Sequence, residues 1–207
     1  MENLTIIEQS DPAIVAAWLE GILRESLASR EGELAITVPG GSTPFPIMEK
    51  LAVADLDWSR IAIWPGDDRV VPEAHPASNT GKIRAIFEPV GAKIAELTED
   101  ALPPHFALAW LGMGGDGHIA SLFPNTDPQI DDLQAVRRLT PDPLPPEAPF
   151  DRITLTIPSL LASASVLFTL GGSGEKREVF EAALRADHDL PVARFLAAAR
   201  QPVTCFA

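Results

Sequence analysis

The chain has 207 residues, 46% of them hydrophobic, and its 29 acidic and 16 basic side chains leave a formal net charge of −13. That length fits one large domain with a sizeable core, and the acidic balance argues against nucleic acid, whose phosphates are held by clustered Lys and Arg. No apolar run approaches the ~20 residues of a membrane helix, the start is polar and acidic, and Cys205 is the single cysteine, so a soluble, reducing, cytoplasmic setting without an intrachain disulfide or signal peptide is expected.

Along the chain, Asp11-Pro12 reads as an N-cap followed by a first-turn proline. Ile14, Val15, Trp18, Leu19, Ile22, Leu23 and Leu27 then recur at helical spacing. A strand is expected over 33–38, running into Pro39-Gly40-Gly41-Ser42-Thr43-Pro44, where Thr43 opens a helix to about 53. A short strand over 61–64 ends at Gly66-Asp67-Asp68-Arg69, and 78–88 reads as a helix. Pro103-Pro104 breaks the chain before an apolar strand that ends at 111. Residues 124–150 form a proline-rich excursion of loops with one strand at 135–139. The stretch 152–157 alternates as a strand, and 166–170 is another, ending in Gly171-Gly172-Ser173-Gly174. Helices over 175–185 and 192–200 and a strand over 203–206 complete the chain.

This alternation predicts an α/β fold: an open, mainly parallel sheet flanked by helices, in a single domain. In such sheets the loops after the strands share one edge, and ligands bind there. The loops at 39–44, 66–72, 112–118 and 171–176 are therefore expected to converge.

The richest of them is Gly112-Met113-Gly114-Gly115-Asp116-Gly117-His118, where a strand ends and a short helix has room to begin. Gly112, Gly114 and Gly117 spell G-x-G-x-x-G, which taken alone points weakly to a dinucleotide. Pro124 leaves room for only roughly two helical turns, and Arg137 and Arg138 stand where an acidic ribose ligand would fall. The competing reading is chemistry on a small phosphorylated substrate. His118 suits proton transfer near neutrality, Asp116 is placed to orient it, and the loop amides are suited to an oxyanion. The amides of Gly40, Gly41 and Ser42 resemble a phosphate cradle, and Arg69, Arg152 and Lys176 are candidate cations. Each residue also has a plainer use. Asp116 fits a helix cap, Arg69 a partner for Asp67 or Asp68, and Arg152 an exposed strand edge. One of Lys176 and Arg177 fits a solvated helix face. His75, His105 and His188 read as surface residues. No His, Cys and carboxylate set has metal-ligand spacing, and Ser42 and Ser121 lack the G-x-S-x-G elbow of serine hydrolases.

Nearly the whole chain resembles the 6-phosphogluconolactonase family. The resemblance runs, in order, through Gly40-Gly41-Ser42-Thr43-Pro44, Trp64 to Pro72, Ser78-Asn79, Leu111 to Pro124, Arg152 to Thr156 and Gly171 to Lys176. It implies a fold shared with glucosamine-6-phosphate deaminases and cofactor-free hydrolysis of 6-phospho-D-glucono-1,5-lactone, with no metal. It also implies His118 as the base and Asp116 as its acidic companion. Gly40, Gly41, Ser42, Lys176, Arg152 and Arg69 then become the substrate- and phosphate-binding set. Asp68 stands where the family usually has Glu. Deaminases continue D-G-H-I-A with F-N-E-P, whereas Ser121-Leu122-Phe123-Pro124 puts an apolar ring at the glutamate position. The expected partner is thus a phosphorylated sugar lactone, with the protein acting as a monomer or weak homodimer. A deaminase-type enzyme and a sugar-phosphate-binding module without turnover are the alternatives.

Overall fold

A computed structural model describes residues 3–144, 146 and 148–207. Seven strands form one sheet, and every neighbouring pair in it runs parallel. In chain order these strands are β1 (Leu4–Ile7), β2 (Leu34–Val38), β3 (Ile61–Pro65), β5 (Lys93–Ile94), β6 (Leu108–Gly112), β9 (Val166–Thr169) and β10 (Val203–Phe206). Across the sheet the order is β1-β10-β9-β6-β2-β3-β5. All five residues of β2, LAITV, are buried, as befits a parallel strand covered on both faces.

Side chains alternate between two cores, as the period of a strand requires. Leu34, Ile36 and Val38 of β2, Leu108 and Trp110 of β6, and Leu167 of β9 join one apolar cluster. Ala35, Ala109, Leu111, Val166 and Phe168 join the other. Helices α1 (Pro12–Ser29), α2 (Pro44–Leu51) and α3 (Asn79–Phe87) pack on the first face. Helices α4 (Ile157–Leu161), α5 (Gly174–Leu184) and α6 (Pro191–Ala198) pack on the second. Asp11 caps α1 by accepting from the Ala13 amide at 2.7 Å, and Val15, Leu19, Leu23 and Leu27 bury one stripe of that helix. Among the described residues no helix is long and apolar enough to cross a membrane.

Strand β5 and helix α4 arise where no such element was expected, α4 beginning at Ile157, the last residue of the stretch read as a strand, and three further features depart from the expectation. The opening residues add an edge strand, β1, paired to β10. The 66–72 segment is not only a loop. Asp67–Arg69 is a strand, β4, which joins β8 (Arg152–Leu155) and β7 (Val136–Leu139) in a second, antiparallel sheet. No helix follows Asp116. Gly117 at φ +76° and Ala120 at φ +48° are left-handed, and each takes the chain out of helical geometry. A long crossover helix is what the dinucleotide reading needed, and only a single short turn of 3-10 helix appears, at Pro124–Thr126.

Strand β4 also shows what Asp68 does. Its carboxylate accepts from the amides of Asn79 (2.6 Å) and Thr80 (2.9 Å) and from the Ser78 hydroxyl (3.0 Å). It therefore closes the N-terminus of α3, where the first amides lack helical partners. Asp68→Ala leaves these donors unpaired and is expected to cost about 1–3 kcal/mol of stability. A urea midpoint equal to wild type would contradict this.

Candidate active site

From β2 the chain runs outward through β3 to β5, and from β6 it runs the other way through β9 to β10. Between β2 and β6 the order reverses, and there the loops beyond the strand ends separate to leave a crevice. A cleft of about 230 Å³ occupies that position. The loop after β2, Pro39 to Thr43, forms one wall. Gly112, Met113, Gly114, His118 and Ala120 form another, and Asp67, Thr169 and Lys176 complete it.

His118 stands at the centre of the second wall. Its Nδ1 lies 2.6 Å from Asp116 Oδ1, which also accepts the His118 amide at 3.2 Å. A carboxylate on Nδ1 fixes the ring's orientation and leaves Nε2 for chemistry. Burial works to raise the Asp116 carboxyl, but the hydrogen bonds and charge of His118 outweigh it and hold the group below the usual carboxylate range. Phe123 backs the imidazole, with ring centroids 4.8 Å apart at 43°. Gly114 lies against this pair. A Cβ there would fall inside van der Waals contact of His118 Cε1 and Nδ1 and 2.6 Å from Asp116 Oδ1.

The facing wall offers donors. Among the described residues, the amides of Gly40, Gly41, Ser42 and Thr43 donate to nothing. Lys176 reaches the cleft from the first turn of α5, where Ser173 caps the helix through the Lys176 amide. No ion pair or hydrogen bond occupies its Nζ among the described residues. Its neighbour Arg177 turns outward and pairs with Glu8 and Glu181. A free ammonium, free amides and a helix N-terminus together favour an anion. Within the 112–117 loop, the Gly114 and Gly117 amides are taken up by His118 and Gly114 carbonyls.

Gly40, Gly41, Ser42, His118 and Lys176 thus meet in one cleft, with Asp116 against the back of His118. Arg69 and Arg152 do not line it. Arg69 donates to the Ala77 carbonyl (3.0 Å) and to Asn79 Oδ1 (2.9 Å). Arg152, only 3% exposed, donates to the carbonyls of Ala148 and Phe150. Their charges still act on the cleft from behind, through Asp67. Asp67 is the residue that sequence reasoning passed over. It is buried in the cleft wall and accepts the Ser121 hydroxyl at 2.5 Å. Its only signal in the sequence was its place in Asp67-Asp68-Arg69.

Free amides and an ammonium thus face a carboxylate-tethered imidazole at the switch point of a parallel sheet. The family model for glucosamine-6-phosphate isomerases/6-phosphogluconolactonase matches residues 12–90 and 88–204. A 6-phosphogluconolactonase of Pseudomonas aeruginosa is 36% identical over 92% of this chain and 87% of its own. One from Neisseria meningitidis is 31% identical over 90% and 87%. The crystal structure of a 6-phosphogluconolactonase from Shewanella baltica superposes with a TM-score of 0.82 at 26% identity, covering 98% of this chain and 96% of that one. The chain belongs to the glucosamine-6-phosphate isomerase/6-phosphogluconolactonase family and, within it, to the 6-phosphogluconolactonases.

Proposed function

We propose that this chain hydrolyses 6-phospho-D-glucono-1,5-lactone to 6-phospho-D-gluconate in the cytoplasm, with His118 as the general base. The observation that carries this is the His118–Asp116 contact of 2.6 Å opening onto a cleft whose other wall is an anion cradle. The 6-phosphate sits on the Gly40, Gly41 and Ser42 amides and Lys176, with Arg69 and Arg152 adding positive charge from behind Asp67. That seat brings C1 toward Nε2 of His118. Nε2 takes a proton from water as its oxygen attacks the lactone carbonyl. The developing oxyanion is met by the amides of the 112–117 loop that carry no other bond. Asp116 holds the ring and stabilises the imidazolium that forms.

Two observations weigh against deamination and against binding without turnover. Phe123, not a carboxylate, packs on His118 at the position where deaminases carry glutamate. The imidazole is oriented by a carboxylate, an arrangement that simple binding does not require.

The phosphate seat is tested by kinetics. Lys176→Ala removes one charge-assisted hydrogen bond and is expected to raise KM roughly 10- to 100-fold. Arg177→Ala, one residue on, should leave KM near wild type. Equal effects would remove Lys176 from the seat. Glucosamine 6-phosphate should release no ammonia with the enzyme, and release above background would favour the deaminase reading.

A further inference from the structure

Among the described residues that line the cleft, Asp67 is the single carboxylate, and the His118–Asp116 pair makes no use of it. The residue is 8% exposed. Its Oδ2 accepts from the buried Ser121 hydroxyl at 2.5 Å, and no hydrogen bond among the described residues reaches Oδ1. An ionised carboxylate taken out of water calls for charged or multiple donors, and this one has a single neutral donor. Charged groups do surround it: Asp68 and Arg69 on its own strand, Arg152 on β8, His118 on the loop and Lys176 in the cleft wall. Yet Arg69 Nη1 and the Arg152 guanidinium donate to backbone carbonyls and Asn79, Arg69 Nε has no partner among the described residues, and neither arginine bonds to Asp67. Burial pushes the Asp67 carboxyl up, against the downward pull of the Ser121 hydrogen bond and the Arg69 charge.

We propose that Asp67 is the general acid of lactone hydrolysis and that Ser121 is its positioning residue. The proposal rests on the lactonase reading above and divides acid and base between two groups. Because Oδ2 accepts from Ser121, the proton belongs on Oδ1, the oxygen left free for substrate. His118 removes a proton from water as the new C1–O bond forms. The C1–O5 bond then breaks, its electron pair stays on the ring oxygen, and Asp67 Oδ1 delivers its proton there. The product carboxylic acid gives its proton to solvent, and the proton on His118 passes back to Asp67. One proton is therefore released per turnover, and the enzyme is restored. Ser121 is fixed for its part: it is 1% exposed, and its amide donates to Thr154 Oγ1 at 3.2 Å.

The test is the pH profile of kcat/KM on the lactone, with spontaneous opening subtracted. Wild type should be bell-shaped, losing rate on the alkaline side as Asp67 loses its proton. Ser121→Ala removes a hydrogen bond that favours the ionised carboxyl, so its alkaline limb should move to higher pH. Asp67→Asn should abolish that limb and lower kcat about 100-fold with little change in KM. Thermal melts report folding, and if Asp67→Asn fails to fold, the Ser121→Ala shift decides alone. A Ser121→Ala profile lowered equally at every pH, or an Asp67→Asn enzyme with wild-type kcat, would overturn the proposal while leaving the lactonase reading intact. A wild-type enzyme inactive on the lactone would overturn both.

Discussion

His118→Ala is expected to lower kcat on 6-phosphogluconolactone by about 100- to 10,000-fold, the usual worth of a positioned acid–base group. KM should change little, because the proposed phosphate seat, Lys176 and the Gly40–Ser42 amides, lies on the opposite wall of the cleft. That split separates chemistry from binding: an interaction made only in the transition state appears in kcat. A rise in KM with kcat unchanged would make His118 a binding group. Fold damage is not expected, since the imidazole is one-third exposed and its bonds are confined to its own loop.

Gly114→Ala is expected to cost about 100-fold in kcat without touching any ionisable group. The added methyl would occupy space held by the His118 ring and the Asp116 carboxylate, so one of them must move. A shift of ~1 Å in a catalytic group is enough for a loss of that order. The Gly114 amide also accepts its place by donating to the His118 carbonyl at 2.9 Å, which ties both ends of the loop together. A Gly114→Ala enzyme with wild-type kcat would show that the 2.6 Å contact is not needed for turnover. The control is Gly21→Ala in α1, where a Cβ meets nothing within 4 Å.

Local patterns made much of this molecule legible. The α1 stripe, the buried runs of β2, β6 and β9, and the glycine-rich loops after them can each be read without knowing what they pack against. His118 and Asp116 are two residues apart, so their pairing is also a local fact. Lys176 was separable from Arg177 only as one of a pair, because which of two adjacent helix residues faces the cleft depends on how α5 is docked. The rest is long-range. Asp67 and Ser121 are 54 positions apart and meet because β4 and the loop after β6 reach the same sheet edge. In β4, Asp67 faces the cleft while its neighbour Asp68 caps α3, a division that follows from strand alternation once Asp67–Arg69 is known to be a strand. Arg152 carried a similar ambiguity. Its burial under the carbonyls of Ala148 and Phe150 comes from the second sheet, and the composition of 124–150 gives no hint of it.

An acidic protein that binds an anionic substrate relies on local donors against its overall field. With a net charge of −13, this chain gathers an ammonium unpaired among the described residues, free amides, half-buried Arg69 and buried Arg152 around one crevice. The most direct test of the whole account is proton release from 6-phospho-D-glucono-1,5-lactone at constant pH, following wild type, His118→Ala and an enzyme-free blank side by side. Wild type should run far above the blank, and His118→Ala should fall to within a small margin of it. Wild type indistinguishable from the blank, or His118→Ala as fast as wild type, would contradict it.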